Sequence, residues 1–243
     1  MFVHLRLHSE FSVVDGANRI DEVVAAAAAD GQPALALTDL NNLFGAVKFY
    51  KAARGAGVKP VLGAEVALEA PDDAAVSVSP AAPDKDAGNR VLLLAQNHQG
   101  YLNLCELLTR AWTQSPSKTQ AQVRWAWLEE LAEGLIALSG GPAGLVGQAL
   151  AQGDAARAGD GALRLARALP HRFYLELQRA GRAGDEALVA ATVQLAARLK
   201  LPVVATHPVQ FASAGDYQAH EARVCIAEGE ILANPRRSRR FTP

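Results

Sequence analysis

Five side chains of the kinds that hold divalent cations fall at or near the ends of strand-like runs: His8, Asp15, Asp39, Glu65 and His207. Imidazoles and carboxylates in one pocket would suit one or two divalent ions, which polarise a substrate oxygen or activate a water. The opening segment, His-Leu-Arg-Leu-His-Ser-Glu-Phe-Ser-Val-Val-Asp-Gly from His4 to Gly16, has the look of such a site. Two histidines two residues apart on a strand face the same side and could grip one metal. Here the pair nearest the strand end is Arg6 and His8. Arginine has no lone pair to offer and stays cationic.

Each residue also has a plainer reading. His8 could be a satisfied histidine at a strand end. Asp15 before Gly16 forms a common turn pair, and Asp39 could cap a helix beginning near Leu43. His207 precedes a proline and could line a loop. Glu65 is harder to dismiss, because it interrupts an apolar strand and a buried carboxylate needs a partner. Gly140-Gly141, after a strand and before Pro142, resembles a phosphate-cradling turn but lacks the lysine and Ser/Thr of a P-loop, which favours a tight turn. No Gly-x-Ser-x-Gly elbow is present, and Cys105 sits mid-helix, so acyl transfer has no support.

The elements that must position these groups alternate. Seven strand-like runs are expected at Phe2–Leu7, Ala34–Thr38, Pro60–Leu68, Val91–Ala95, Leu135–Ser139, Phe173–Leu177 and Pro202–Thr206. Most are continuous Val/Ile/Leu runs, as in parallel strands covered on both faces. Helical patterns lie between them, at 20–29, 43–54, 101–112, 145–152, 161–168, 185–199 and 216–228. Such alternation argues for an α/β barrel-like fold, in which the strand ends gather at one mouth. Residues 1–233 read as one domain, interrupted by an Ala-, Asp- and Pro-rich loop insertion at 70–89. Residues 234–243 read as a basic tail whose Arg236, Arg237, Arg239 and Arg240 could touch phosphates or simply be solvated, and which leads into a longer polypeptide.

Bulk properties narrow the classes. The chain has 243 residues, is half apolar and carries a net charge of −1, so its average surface has no drive towards nucleic acid or membrane. No apolar run approaches the roughly 20 residues of a transmembrane helix. Cys105 and Cys225 lie in apolar helical patterns and read as free buried thiols of a reducing, cytoplasmic compartment.

The opening motif resembles the first motif of PHP (polymerase and histidinol phosphatase) domains, and more narrowly those at the N-terminus of bacterial replicative DNA polymerase III alpha subunits. The resemblance continues through Ala34-Leu-Ala-Leu-Thr-Asp-Leu-Asn-Asn-Leu-Phe-Gly, Gly57-Val-Lys-Pro-Val-Leu-Gly-Ala-Glu and Gly100-Tyr-Leu-Asn-Leu. It extends through Gly134-Leu-Ile-Ala-Leu-Ser-Gly-Gly, Phe173-Tyr-Leu-Glu-Leu and Leu201-Pro-Val-Val-Ala-Thr. It covers nearly the whole chain, in order, apart from 70–89. It implies a distorted seven-stranded (β/α)7 TIM-like barrel and, in active members, a metal cluster at its mouth.

Carried over position by position, most of that cluster is missing. His8, Asp15 and Glu65 keep vestigial ligand positions. Arg6, Leu40, Arg90, Gly141, Pro208 and Gln210 stand where the family has ligands, and Asp39 and His207 remain pocket candidates. Loss of even an outer partner costs roughly 10–100-fold in metal affinity, so the loss of most direct ligands implies a silent site. Arg6 and Arg90 would repel a divalent ion and could pair with Glu65 or Asp15. The resemblance implies a supporting domain of a DNA polymerase, with its Mg²⁺ site beyond this chain. It also implies a docking surface for the proofreading exonuclease subunit, and contact with DNA only through the full enzyme. A reduced Zn²⁺ or Mn²⁺ site serving a phosphoesterase or 3′–5′ exonuclease is the alternative.

Overall fold

A computed structural model describes residues 2–70, 89–115 and 121–234. Within them lie eight α-helices and six strands. The helices are α1 (Ile20–Ala29), α2 (Ala46–Gly55), α3 (His98–Gln114), α4 (Trp125–Glu130), α5 (Leu145–Ala151), α6 (Ala155–Ala168), α7 (Asp185–Leu199) and α8 (Tyr217–Glu228). The strands are β1 (Ala34–Leu37), β2 (Lys59–Leu68), β3 (Asn89–Ala95), β4 (Leu135–Leu138), β5 (Phe173–Gln178) and β6 (Val203–Thr206), hydrogen-bonded in chain order. The loop expected at 70–89, for all but its end residues, and the four tail arginines fall outside the described residues.

The chain divides into two compact units. The first comprises Met1–Ala64, Gln178–Asp185 and Ala205–Pro243. Its β1 pairs parallel with β2, Ala34 opposite Lys59 and Leu37 opposite Leu62. The apolar stripe of α1 (Ile20, Val23, Val24, Ala27) packs with Leu7, Leu35, Leu37 and Phe49 into its core. That stripe repeats at helical spacing, and Asp21 and Glu22 sit in the positive first turn.

The seventh expected strand is different. Residues 2–6 have no regular strand assignment, and Leu7 makes only an isolated parallel bridge with Val209. The segment nevertheless donates and accepts on both sides. Ala36 N donates to His4 O and Thr38 N to Leu7 O, while His8 N donates to Val209 O at 2.9 Å. These bonds fix Arg6, His8 and the turn beyond them.

The second unit comprises Glu65–Leu177 and Glu186–Val204. Here β3 and β4 pair antiparallel, Leu92 opposite Leu138, where their apolar runs read as parallel strands. β4 and β5 are parallel, Ala137 opposite Phe173. The sequence could not reveal the reversal, since apolar runs look alike in either direction. α3 is capped by Asn97, whose side chain accepts from Gly100 N at 2.9 Å. α4 was not anticipated; it buries Trp125, Trp127 and Leu128 in only six residues.

Candidate functional site

In the first unit the turn after Leu7 is built around hydrogen bonds to its own carboxylates. His8 is fully buried, and its Nδ1 lies 2.9 Å from Asp15 Oδ1. Ser12 Oγ donates to the same Asp15 oxygen at 2.7 Å. Gln210 Nε2 and Ser12 Oγ each approach His8 Nδ1 to 3.5 Å. Asp39 is held separately: Ser9 N donates to its Oδ1 at 2.6 Å and Ser9 Oγ to its Oδ2 at 2.8 Å. Burial is the largest influence on Asp39 and pushes its carboxyl above the usual value, against the lowering effect of the Ser9 bonds and of nearby His8. Asp39 therefore ties the turn together and does not cap α2, whose start at Gly45 has no side-chain cap. Leu40 contributes its backbone, donating to Ser12 Oγ at 3.1 Å.

The turn is closed from outside by residues that sequence reasoning missed. Asn18 Nδ2 donates to His8 O at 2.9 Å and to Val209 O at 3.2 Å. His220, fully buried on α8, places Nε2 3.0 Å from Asp15 O. Burial, the largest cause, holds its imidazole below the ordinary value, consistent with a neutral ring that donates from Nε2. Arg223, one turn further along α8, donates to Gly16 O and, at 3.4 Å, to Glu10 O. Gly16 is required here: a Cβ would overlap the Ser9 carbonyl. Sequence separations near two hundred residues hid these contacts; the one local signal was a polar pair, His220 and Glu221, on the buried face that carries Val224 and Cys225.

In the second unit Glu65 lies on the buried part of β2, with its side chain 1% exposed. Arg90, on β3, places NH1 3.4 Å from Glu65 Oε1, with its own side chain 11% exposed. The same β3 residue explains the glycine pair. Gly140 has φ +82, and a Cβ there would overlap the Arg90 carbonyl. Gly141, φ +56, begins a short 3₁₀ turn running to Ala143. The pair is thus a tight turn against β3.

His207 is exposed and does not join the His8 cluster; its ring lies 6.3 Å from that of His4. Pro208 and Gln210 flank Val209 in the same segment, and Gln210 is buried. Arg6 is buried as well, 4% exposed. Cys225 is a buried free thiol, whereas Cys105 is only half-buried.

These residues do not fit the metal cluster that the resemblance implies. A ligand carboxylate must offer its lone pairs to the ion. Asp15 gives one oxygen to both His8 and Ser12, Asp39 gives both to Ser9, and Glu65 faces a guanidinium. Among the described residues, no three His, Cys, Asp or Glu side chains are grouped to hold a metal ion.

The model of the PHP domain matches residues 4–180. The chain belongs to the PHP domain family. It is 48% identical over its full length to a DNA polymerase III subunit alpha of Neisseria meningitidis, and 43% identical over 99% of its length to one of Pseudomonas aeruginosa. It is 40% identical over its full length to the DNA polymerase III subunit alpha of Escherichia coli K12. The chain spans about a fifth of these relatives, 20% in each case. None of the described helices is long and apolar enough to cross a membrane.

Proposed function

We propose that this chain is a catalytically silent PHP domain of a DNA polymerase III alpha polypeptide. In this reading it supports the polymerase and offers a docking surface to the proofreading exonuclease subunit. The full polypeptide would carry out template-directed DNA synthesis in the cytoplasm, with Mg²⁺ at a site outside this chain and DNA held by the whole enzyme. The observation that carries the reading is the Arg90–Glu65 pair: a retained ligand-type carboxylate is buried against a cation. A guanidinium there satisfies the carboxylate's charge in the way a metal would, and competes directly with one. The identity to polymerase alpha subunits supports the placement in that enzyme.

The fuller barrel belongs to the same proposal. Residues 4–8, hydrogen-bonded to β1 on one side and to Val209 on the other, act as an irregular seventh strand of a distorted (β/α)7 barrel.

The second reading is a phosphoesterase or 3′–5′ exonuclease with Zn²⁺ or Mn²⁺ at a reduced site on His8. The direct His8–Asp15 contact favours it, since such pairs orient imidazoles toward metals. Two experiments separate the readings. Co-purification of the intact protein with the exonuclease subunit at micromolar concentration is expected, and its absence would remove the docking role. Phosphodiester hydrolysis that depends on added manganese and disappears in His8→Ala would favour the second reading.

A further inference from the structure

A cavity of about 470 Å³ lies within the first unit, between α1 and the segment 207–212. Three buried polar atoms on residues of its lining have no hydrogen-bond partner among the described residues: His4 Nδ1, Gln32 Oε1 and Gln210 Oε1. Gln210 is only 4% exposed. Buried polar atoms are nearly always satisfied, so orphans gathered on one cavity mark where something else supplies the partner. Water alone could satisfy a small polar void, but this cavity is far larger than one water and also has an apolar side from Val23, Ala27 and Leu35.

The chemistry of the lining narrows the ligand. Asp30 and Arg182 contribute opposite charges, so the cavity has no net attraction for a bare anion. His4 is held below the ordinary imidazole value, by burial first and by His207 second, which favours a neutral ring. Aromatic rings gather beside it: Phe2 meets His4 edge-on at 4.9 Å and His207 lies 6.3 Å away, with Phe211 also on the lining. Amide oxygens wanting donors, a neutral imidazole able to donate or accept, and rings available for stacking together suit a flat heterocycle with mixed donors and acceptors on its edge.

We propose that this cavity binds a nucleobase, either of a free nucleoside or of an unpaired nucleotide in single-stranded DNA. The site borders the His8–Asp15 contact through Gln210, whose Nε2 lies 3.5 Å from His8 Nδ1, and stands or falls independently of the docking role. Gln32 and Gln210 accept from the base edge, and His4 supplies the remaining hydrogen bond. His207 and Phe211 stack on the base or on its sugar.

The test uses the intact protein with deoxyadenosine and deoxycytidine, a short single-stranded oligonucleotide and inorganic phosphate, followed by ligand-observed NMR titration. Saturable nucleoside binding is expected, weakened about fivefold to tenfold by Gln32→Leu, the size of one lost hydrogen bond. His207→Ala, at an exposed position, is expected to weaken it similarly and serves if Gln32→Leu does not fold. Phosphate should not compete. Oligonucleotide binding sensitive to both variants would identify a strand as the source; nucleoside binding alone would identify the free base. The proposal is overturned if neither nucleoside nor oligonucleotide saturates the protein up to about 5 mM, where binding is already weaker than a useful contact. Binding indifferent to the variants, or displaced by phosphate, overturns it equally.

Discussion

The two units settle the same electrostatic problem in different ways. In the first, the carboxylates of Asp15 and Asp39 are held by hydrogen-bond donors: two serine hydroxyls, an imidazole and a backbone amide. In the second, Glu65 is held by a buried arginine. Hydrogen bonds from serine hydroxyls and amides cost little to bury, because the donors are uncharged. An ion pair must recover two desolvation penalties, so it is strong only while both partners remain. The first device spreads its hydrogen bonds over several donors; the second sets a buried carboxylate against a buried cation.

The largest effect is therefore expected at Arg90. Arg90→Met removes the buried guanidinium beside Glu65 and should cost about 3–5 kcal/mol in denaturant unfolding. Adding Glu65→Leu should recover most of that loss. If the single variant is as stable as the double, Glu65 does not depend on Arg90 and the contrast fails.

Asp39 comes next. Asp39→Ala removes the acceptors of two Ser9 bonds and should cost about 3 kcal/mol. Its pH dependence has a definite sign. Because the folded carboxyl sits above the ordinary 3.8, the folded state binds the proton more readily. The stabilisation from this group is full below 3.8 and is lost as pH rises through the raised value. Urea titrations across that window should show a falling contribution in the wild type that is absent from Asp39→Asn.

His220 should matter less and in the opposite direction. Its imidazole is held below 6.5, so its contribution is full above 6.5 and declines as pH falls through the lowered value. His220→Phe keeps the ring but leaves Asp15 O without its donor, at about 1–2 kcal/mol, and should flatten the wild-type loss of stability on acidification. An unchanged acid limb would show that α8 does not lock the turn through this residue.

Lys48 marks the lower end of the series. It reaches Glu10 and Asp21 at 3.2 Å each, but on the surface. Lys48→Ala should leave the melting temperature unchanged within error, because exposed pairs are screened and entropically costly. A large loss would break the distinction between buried and exposed pairing.

Much of this frame was legible in the sequence. The spans of α1 and α7 follow from apolar periodicity, and the six strands fall within two residues or so of their Val/Leu runs. What was hidden depended on distant partners. Residues 2–7 read as a full strand, but their pairing with the segment at Val209 yields a single bridge. The β3–β4 reversal leaves no mark on either apolar run. At the site, Arg6 and Arg90 were visible as ligand losses, whereas Asn18 and Arg223 carry no motif, and Ser9 and Ser12, though inside the opening motif, gain their roles only from folding.

The central claim is that the retained ligand-type residues hold the fold together and hold no metal. Elemental analysis of the intact protein, purified without chelator and dialysed against zinc and manganese, tests it most directly. The account predicts zinc and manganese well below one equivalent per chain, unchanged by His8→Ala. One or more equivalents that vanish in His8→Ala would contradict it.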